Sequence, residues 1–214
     1  MARTKLIVLG TRLFAEEVAD LASECEEYEL VAFGENWERE RCDRLLLGYP
    51  VIWVGELAEF AKTHLAICAI GTTRRSLFVE QVHAMGFQFA TLRHPRAWVS
   101  RTSAVGPGSI LGVGTAVGAH TVVGRHVIVN RGSLIGHHTT IGDYVTVAPG
   151  VSIAGAVRVG SGTYVGIGAV IVDRVTVGSN ALIGAGAVVV KDVPDNVEVM
   201  GSPARTTRTG ITGF

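Results

Sequence analysis

Two adjacent histidines, His137 and His138, stand in the run IGHHTTIGD. An imidazole titrates near neutral pH and can take a proton from an attacking nucleophile. General-base catalysis of this kind contributes about 10² to 10⁴-fold. By residue type alone, a hydrogen-bonded, inert pair at a subunit interface is the commoner reading. No Cys or Asp has ligand spacing to the histidines, so no metal is expected. The three cysteines, Cys25, Cys42 and Cys68, all precede the pair, and no Ser/His pairing follows from spacing. A covalent enzyme intermediate is therefore not indicated.

What positions the pair is a repeat of six residues. The series Val105, Leu111, Val117, Val123, Val129, Ile135, Ile141, Val147, Ile153, Val159, Val165, Ile171, Val177, Ile183, Val189 carries only Val, Ile or Leu. Small or β-branched residues stand two places earlier, as at Ser103, Ser109, Thr115 and Thr121, and Gly usually follows, as at Gly112 and Gly136. A period of six fits neither an α-helix nor a simple strand and marks a parallel β-helix. Three hexads close one triangular turn, so residues 18 apart stack, with a rise of roughly 4.8 Å per coil. The glycines belong where the chain bends and a side chain has no room.

The same arithmetic places the histidines. Ile135 points inward, so His137 lies at a corner and projects outward. One coil above it stands Gly155 and one below Ala119; His138 stacks over His120. Gly155 leaves space for a bound group and exposes an N–H that could hold an oxygen on which negative charge develops. His120 and His126 read as surface or interface residues. Lys191 and Arg205, near the last coil, are candidates for phosphate contacts.

Residues 1–94 read as an α/β unit and 95–214 as the coil with its tail, with the boundary at His94-Pro95. Leu6–Leu9 reads as a buried strand, Leu13–Glu27 as a helix, Tyr28–Phe33 as a strand, and Leu45–Val54 as a turn and short strand. Leu57–Ala61 fits a helix face, Leu65–Ile70 a strand, Arg75–Ala84 a helix and Phe87–Thr91 a strand. Alternating strands and helices imply a small parallel, Rossmann-like sheet. Ligands of such sheets bind beyond the carboxyl ends of the strands. That puts Gly10, Thr11, Glu35, Asn36, Gly71 and Arg75 at the binding edge. The first loop, GTRLFA, carries no GxGxxG, so a dinucleotide is not expected.

Nineteen basic and nineteen acidic residues cancel. No sequence-wide field favours nucleic acid or an acidic membrane. An odd number of cysteines without ligand spacing fits reduced thiols in a cytoplasmic protein. MARTKLIVLG lacks a signal peptide's apolar run, and no stretch reaches membrane-spanning length.

The hexads followed by GSPAR (Gly201–Arg205) resemble the hexapeptide-repeat acyltransferases. Over nearly the whole chain, LIVLG, ELVAFGEN, LGYPV, AIGTTRRS, HPRAWVS, IGHHTTIGD, APGVSIAG and GSPAR are similar to nucleotide-sugar acetyltransferases of the NeuD/PglD type. The resemblance implies a left-handed β-helix, a homotrimer, acetyl-CoA or another acyl-CoA as donor, and a nucleotide-linked amino sugar held by the α/β domain. It implies His137 as the general base. Asn130 aligns with a polar residue near the acceptor, and Thr146 with a second histidine near the acyl group. The acidic pair that contacts the nucleotide is here Glu35-Asn36. The residue after the base, often acidic in the family and orienting the imidazole, is here His138; it stands with His137 and Asn130 as a candidate catalytic residue, and the support for the His137 ring must come from elsewhere or be absent. The implied activity is N-acetyl transfer; a sugar O-acetyltransferase, another acyl donor, or a β-helix module that has lost catalysis are the alternatives.

Overall fold

The computed structural model describes residues 3–214, which form two compact units. One comprises the chain up to Gly71 together with Arg75–His94; the other comprises Thr72–Arg74 and Pro95–Phe214.

The first unit contains β1 (Thr4–Leu9), α1 (Leu13–Ser23), β2 (Tyr28–Glu35), β3 (Val51–Trp53), β4 (Leu65–Cys68), α2 (Ser76–His83) and β5 (Gln88–Phe89). All pairings are parallel, in the order β3-β2-β1-β4-β5. The central β1 carries the run Leu6, Ile7, Val8 and Leu9, none of it exposed. Continuous apolar sequence is what a strand covered on both faces requires. α1 buries Ala15, Val18, Ala19 and Ala22 and stops at Ser23, four residues short of the expected end. Glu24, Glu26 and Glu27 follow, and acidic side chains at a helix C-terminus oppose the macrodipole. Cys25 instead turns inward, its Sγ 3.5 Å from the Arg93 carbonyl. The stretch around Leu57 forms a 3-10 helix, Val54–Phe60, burying Val54 and Leu57.

The second unit is a three-sided parallel coil of two-residue strands. The first face runs Trp98–Val99, Ala116–Val117, Leu134–Ile135, Ser152–Ile153, Val170–Ile171 and Val188–Val189. The second runs from Ala104–Val105 through Thr140–Ile141 to Thr176–Val177. The third includes Ile110–Leu111, Ile128–Val129, Thr146–Val147, Tyr164–Val165 and Leu182–Ile183, and continues through Val197–Met200 to an antiparallel Arg205–Thr209. From Trp98–Val99 to Val188–Val189 each strand pairing joins residues 18 apart, such as Ile135 with Ile153. The aliphatic ladder fills the interior.

The small residues two places before each aliphatic do not simply save space. Thr121 Oγ1 donates to the Gly136 carbonyl (2.8 Å) and accepts from the Thr139 N–H (3.3 Å). Ser109 does the same with Gly124 and Val127. These buried hydroxyls satisfy backbone groups between coils, which an apolar interior could not leave unpaired.

The corner after Ile135 makes two separate demands. A Cβ on Gly136 would lie 2.4 Å from the Ala154 carbonyl carbon of the next coil, so no side chain fits there. The left-handed residue stands two places later: every sixth position from Gly108 to Gly186 has positive φ. Glycine fills half of these, but His120, His126, His138, Tyr144, Ala156, Arg174 and Asn180 also adopt it. After Val189 the hexad register breaks. Asp195 would be next, and Val193, bridged to Val177, closes the interior instead. Among the described residues no helix is long and apolar enough to cross a membrane.

Candidate active site

The corner between Leu134–Ile135 and Thr140–Ile141 presents His137 and His138, both exposed. Their Nδ1 atoms are 3.1 Å apart, and the rings stand nearly perpendicular at 87°. The His120 ring lies 4.9 Å from that of His138, one coil below, as the 18-residue spacing requires.

Gly155 meets His137, but not as the spacing suggested. A Cβ there would lie 2.7 Å from His137 Cε1 and 2.8 Å from Nε2. The space that seemed left for a bound group is filled by the imidazole itself. Gly155 is needed so that the ring can lie against the coil. Its carbonyl accepts from the Arg174 N–H (3.0 Å), and its own N–H has no acceptor among the described residues.

Three coils further along the same corner, about 14 Å at the β-sheet spacing, stands Lys191. Lys191 and Arg205 line one cavity of about 260 Å³ with Val189, Asp192, Pro194 and Thr206. The structure therefore brings together the two cations singled out for phosphate.

Asn130 and Thr146 are placed apart from His137 within one chain. Asn130 lies at the corner on the opposite side of the first face, and its Oδ1 accepts from the Arg131 N–H (3.0 Å). Thr146 sits on the third face and is buried. His126 is not a surface residue: it is buried and stacked on Tyr144, with ring planes 8° apart. Tyr164 packs on Phe214 of the same chain (4.4 Å).

In the first unit, the order β2-β1-β4 sets Gly10, Thr11, Glu35, Asn36, Gly71 and Arg75 along one carboxyl edge. Gly10 has φ +116, and a Cβ there would press the Ala69 carbonyl at 3.3 Å. Thr11 and Glu35 are both buried and hydrogen-bonded to each other. The other Glu35 oxygen accepts from the N–H groups of Asn36 (2.9 Å), Trp37 (2.6 Å) and Glu38 (3.2 Å). This carboxylate shapes the loop after β2 from inside. Arg75 is 1 % exposed.

Sequence reading missed a second network on this edge. Glu38 takes an ion pair from Arg12 (2.7 Å) and another from Arg41, and Arg41 also donates to the Thr11 carbonyl (3.1 Å). The hydrogen bond from Arg41, with Arg12 beside it, holds the Glu38 carboxyl below its ordinary range. Trp37 stands 81 % exposed at the same loop. The charge-rich run GENWERERCDR was the available signal, but it does not reveal which charges pair.

None of the thiols is set up as a nucleophile. Burial pushes Cys68 up to about 11 and raises Cys25 and Cys42 as well. At neutral pH all three stay protonated, and a thiol is a far weaker nucleophile than a thiolate. Among the described residues, no three His, Cys, Asp or Glu side chains are grouped to hold a metal.

Residues 120–155 and 156–191 each match the bacterial transferase hexapeptide (six repeats) family. The acetyltransferase domain of PglB from Neisseria gonorrhoeae, solved with acetyl coenzyme A, is similar over 96 % of this chain and 100 % of that one, at 32 % identity and TM-score 0.87. The chain belongs to the hexapeptide-repeat sugar acetyltransferases. Two further members are similar at 29 % identity. A histidine-to-asparagine variant of perosamine N-acetyltransferase from Caulobacter crescentus, in complex with CoA and GDP-perosamine, matches over 97 % of this chain and 98 % of that one with TM-score 0.88. WeeI from Acinetobacter baumannii matches over 95 % and 100 % with TM-score 0.86. No curated protein sequence matches. As in this family, the coil of the sugar acetyltransferase described here is a left-handed β-helix, and in sequence it follows a small parallel α/β domain.

Proposed function

We propose that this chain transfers an acetyl group from acetyl-CoA to the amino group of a nucleotide-linked sugar, with His137 as general base. The supporting observation is an exposed imidazole on a β-helix corner, in a chain matched almost end to end by a transferase solved with CoA and GDP-perosamine. The sugar amine attacks the thioester carbon and forms a C–N bond. His137 Nε2 takes the amine proton as the tetrahedral intermediate forms, and the Gly155 N–H is available to the developing oxyanion. The C–S bond then breaks, and CoA leaves as the thiol with the proton returned from His137. Transfer is direct, in keeping with thiols that burial holds protonated.

In this reading residues 1–94 hold the nucleotide sugar, through the edge bearing Gly10, Thr11, Asn36, Gly71 and Arg75, with Glu35 shaping it. Residues 95–214 hold acetyl-CoA, whose phosphates meet Lys191 and Arg205. The working form is a homotrimer. Its support is the first face of the coil, where Trp98 (59 %), Leu134 (50 %) and Val170 (40 %) stand exposed in one column. An apolar strip of this kind marks an interaction surface. Packing copies side by side would also let the opposite corner of a second copy, with Asn130, approach His137. Acetyl-CoA and reduced thiols suit a cytoplasmic enzyme of glycan assembly.

Ligand-induced thermal stabilisation tests the binding half of this reading. Acetyl-CoA at 100 times Kd is expected to stabilise the protein by about 2.7 kcal/mol. Among GDP-, UDP- and dTDP-linked amino sugars, at least one is expected to add to that. No shift with acetyl-CoA would favour a β-helix module without catalysis.

A further inference from the structure

Which of the two imidazoles donates in the hydrogen bond between them decides which nitrogen of His137 is free to act as the base. Nδ1 of His137 and Nδ1 of His138 are 3.1 Å apart, and only one of them can carry the shared proton. If His138 were the donor, the neutral His137 ring would hold its own proton on Nε2 and could accept nothing there. If His137 is the donor, its Nε2 is bare. We infer that His138 is the positioning residue of this site: a neutral imidazole whose Nδ1 lone pair accepts from His137 Nδ1–H and so presents Nε2 of His137 as the base. This rests on the function proposed above for the role of His137, and it supplies the orienting partner that the sequence left unassigned.

The surroundings favour a neutral acceptor. The other titratable group against His138 is His120, whose ring lies 4.9 Å away. The next coil offers Gly155 and Ala156 at this corner, without charge. Beyond them Asp173 and Arg174 pair with each other at 3.5 Å. The backbone also limits what can occupy the position. His138 has φ +56, at a turn site that other coils give to glycine, and Asn tolerates this region better than most residues. Asn also carries its acceptor, Oδ1, the same number of bonds from Cα as the histidine Nδ1.

The test combines kinetics with ¹⁵N NMR of the His137 ring at neutral pH, using the full chain. Wild type and His138→Asn should both show His137 protonated on Nδ1. His138→Gly, which suits the turn and lacks the acceptor, should move that proton to Nε2 and lower kcat about tenfold, the size of one lost hydrogen bond, with KM little changed. His138→Asn should recover most of that loss. The inference is overturned if wild-type His137 carries its proton on Nε2, or if His138→Gly leaves both tautomer and kcat unchanged. The NMR result needs no turnover, so a protein with the expected tautomer but no acetyl transfer would keep the hydrogen bond and reject the proposed function.

Discussion

His137→Ala is expected to lower kcat for acetyl transfer by about 10²- to 10⁴-fold, the range of a lost general base. The fold should survive, because the side chain is exposed and takes no part in the aliphatic interior. Its backbone carbonyl accepts from the Ala156 N–H (2.8 Å), and that bond does not depend on the side chain. Thermal midpoint and acetyl-CoA binding should stay close to wild type while turnover collapses. Steady-state kinetics beside a thermal melt read both quantities. Turnover within a few-fold of wild type would remove His137 from the mechanism.

The opposite pattern is expected for Gly136→Ala, one residue earlier. The added Cβ would lie 2.4 Å from the Ala154 carbonyl carbon, 2.5 Å from its oxygen and 2.6 Å from the Gly155 nitrogen. All three are backbone atoms, so no rotamer change relieves the contact. The two coils must part, which strains the hydrogen bond from the Gly136 N–H to the Ile153 carbonyl (2.8 Å) and the one from Thr121 to the Gly136 carbonyl. Overpacking a tight core already costs about 1–3 kcal/mol. A rigid backbone clash should exceed that, at about 3 kcal/mol or more, against a total of about 5–15 kcal/mol for a typical protein. Urea denaturation of the variant checks it. An unchanged midpoint would mean that the coils are spaced more loosely than this geometry shows.

These two neighbours show what was legible in the sequence and what was not. The ladder from Val105 to Val189 was readable because each strand sends one side chain inward every six residues. The same arithmetic set His138 over His120 and put Gly155 next to His137. It could not say what filled the gap at Gly155, because spacing carries no rotamer: the imidazole folds onto the glycine. Nor could it show that the Nδ1 atoms of His137 and His138 come within 3.1 Å, since adjacent residues at a corner diverge or converge with backbone φ, and φ +56 at His138 is not written in the residue type. The register break after Val189 was hidden because Val193, Val197 and Val199 follow a different spacing. In the α/β unit, the strand order put the expected residues on one edge. The burial of Glu35 against Thr11, however, depends on a side chain turning inward at a strand end. No periodicity encodes that.

The most direct measurement is the product of the reaction itself. Purified protein is incubated with acetyl-CoA and each of the GDP-, UDP- and dTDP-linked amino sugars, and CoA thiol release is followed with the mass of the sugar nucleotide. The expected result is thiol release matched by a gain of one acetyl group on at least one amino sugar, and none on the same sugar already N-acetylated. Acetyl gain on a hydroxyl of the N-acetylated sugar, or no transfer to any amino sugar despite bound acetyl-CoA, would contradict it.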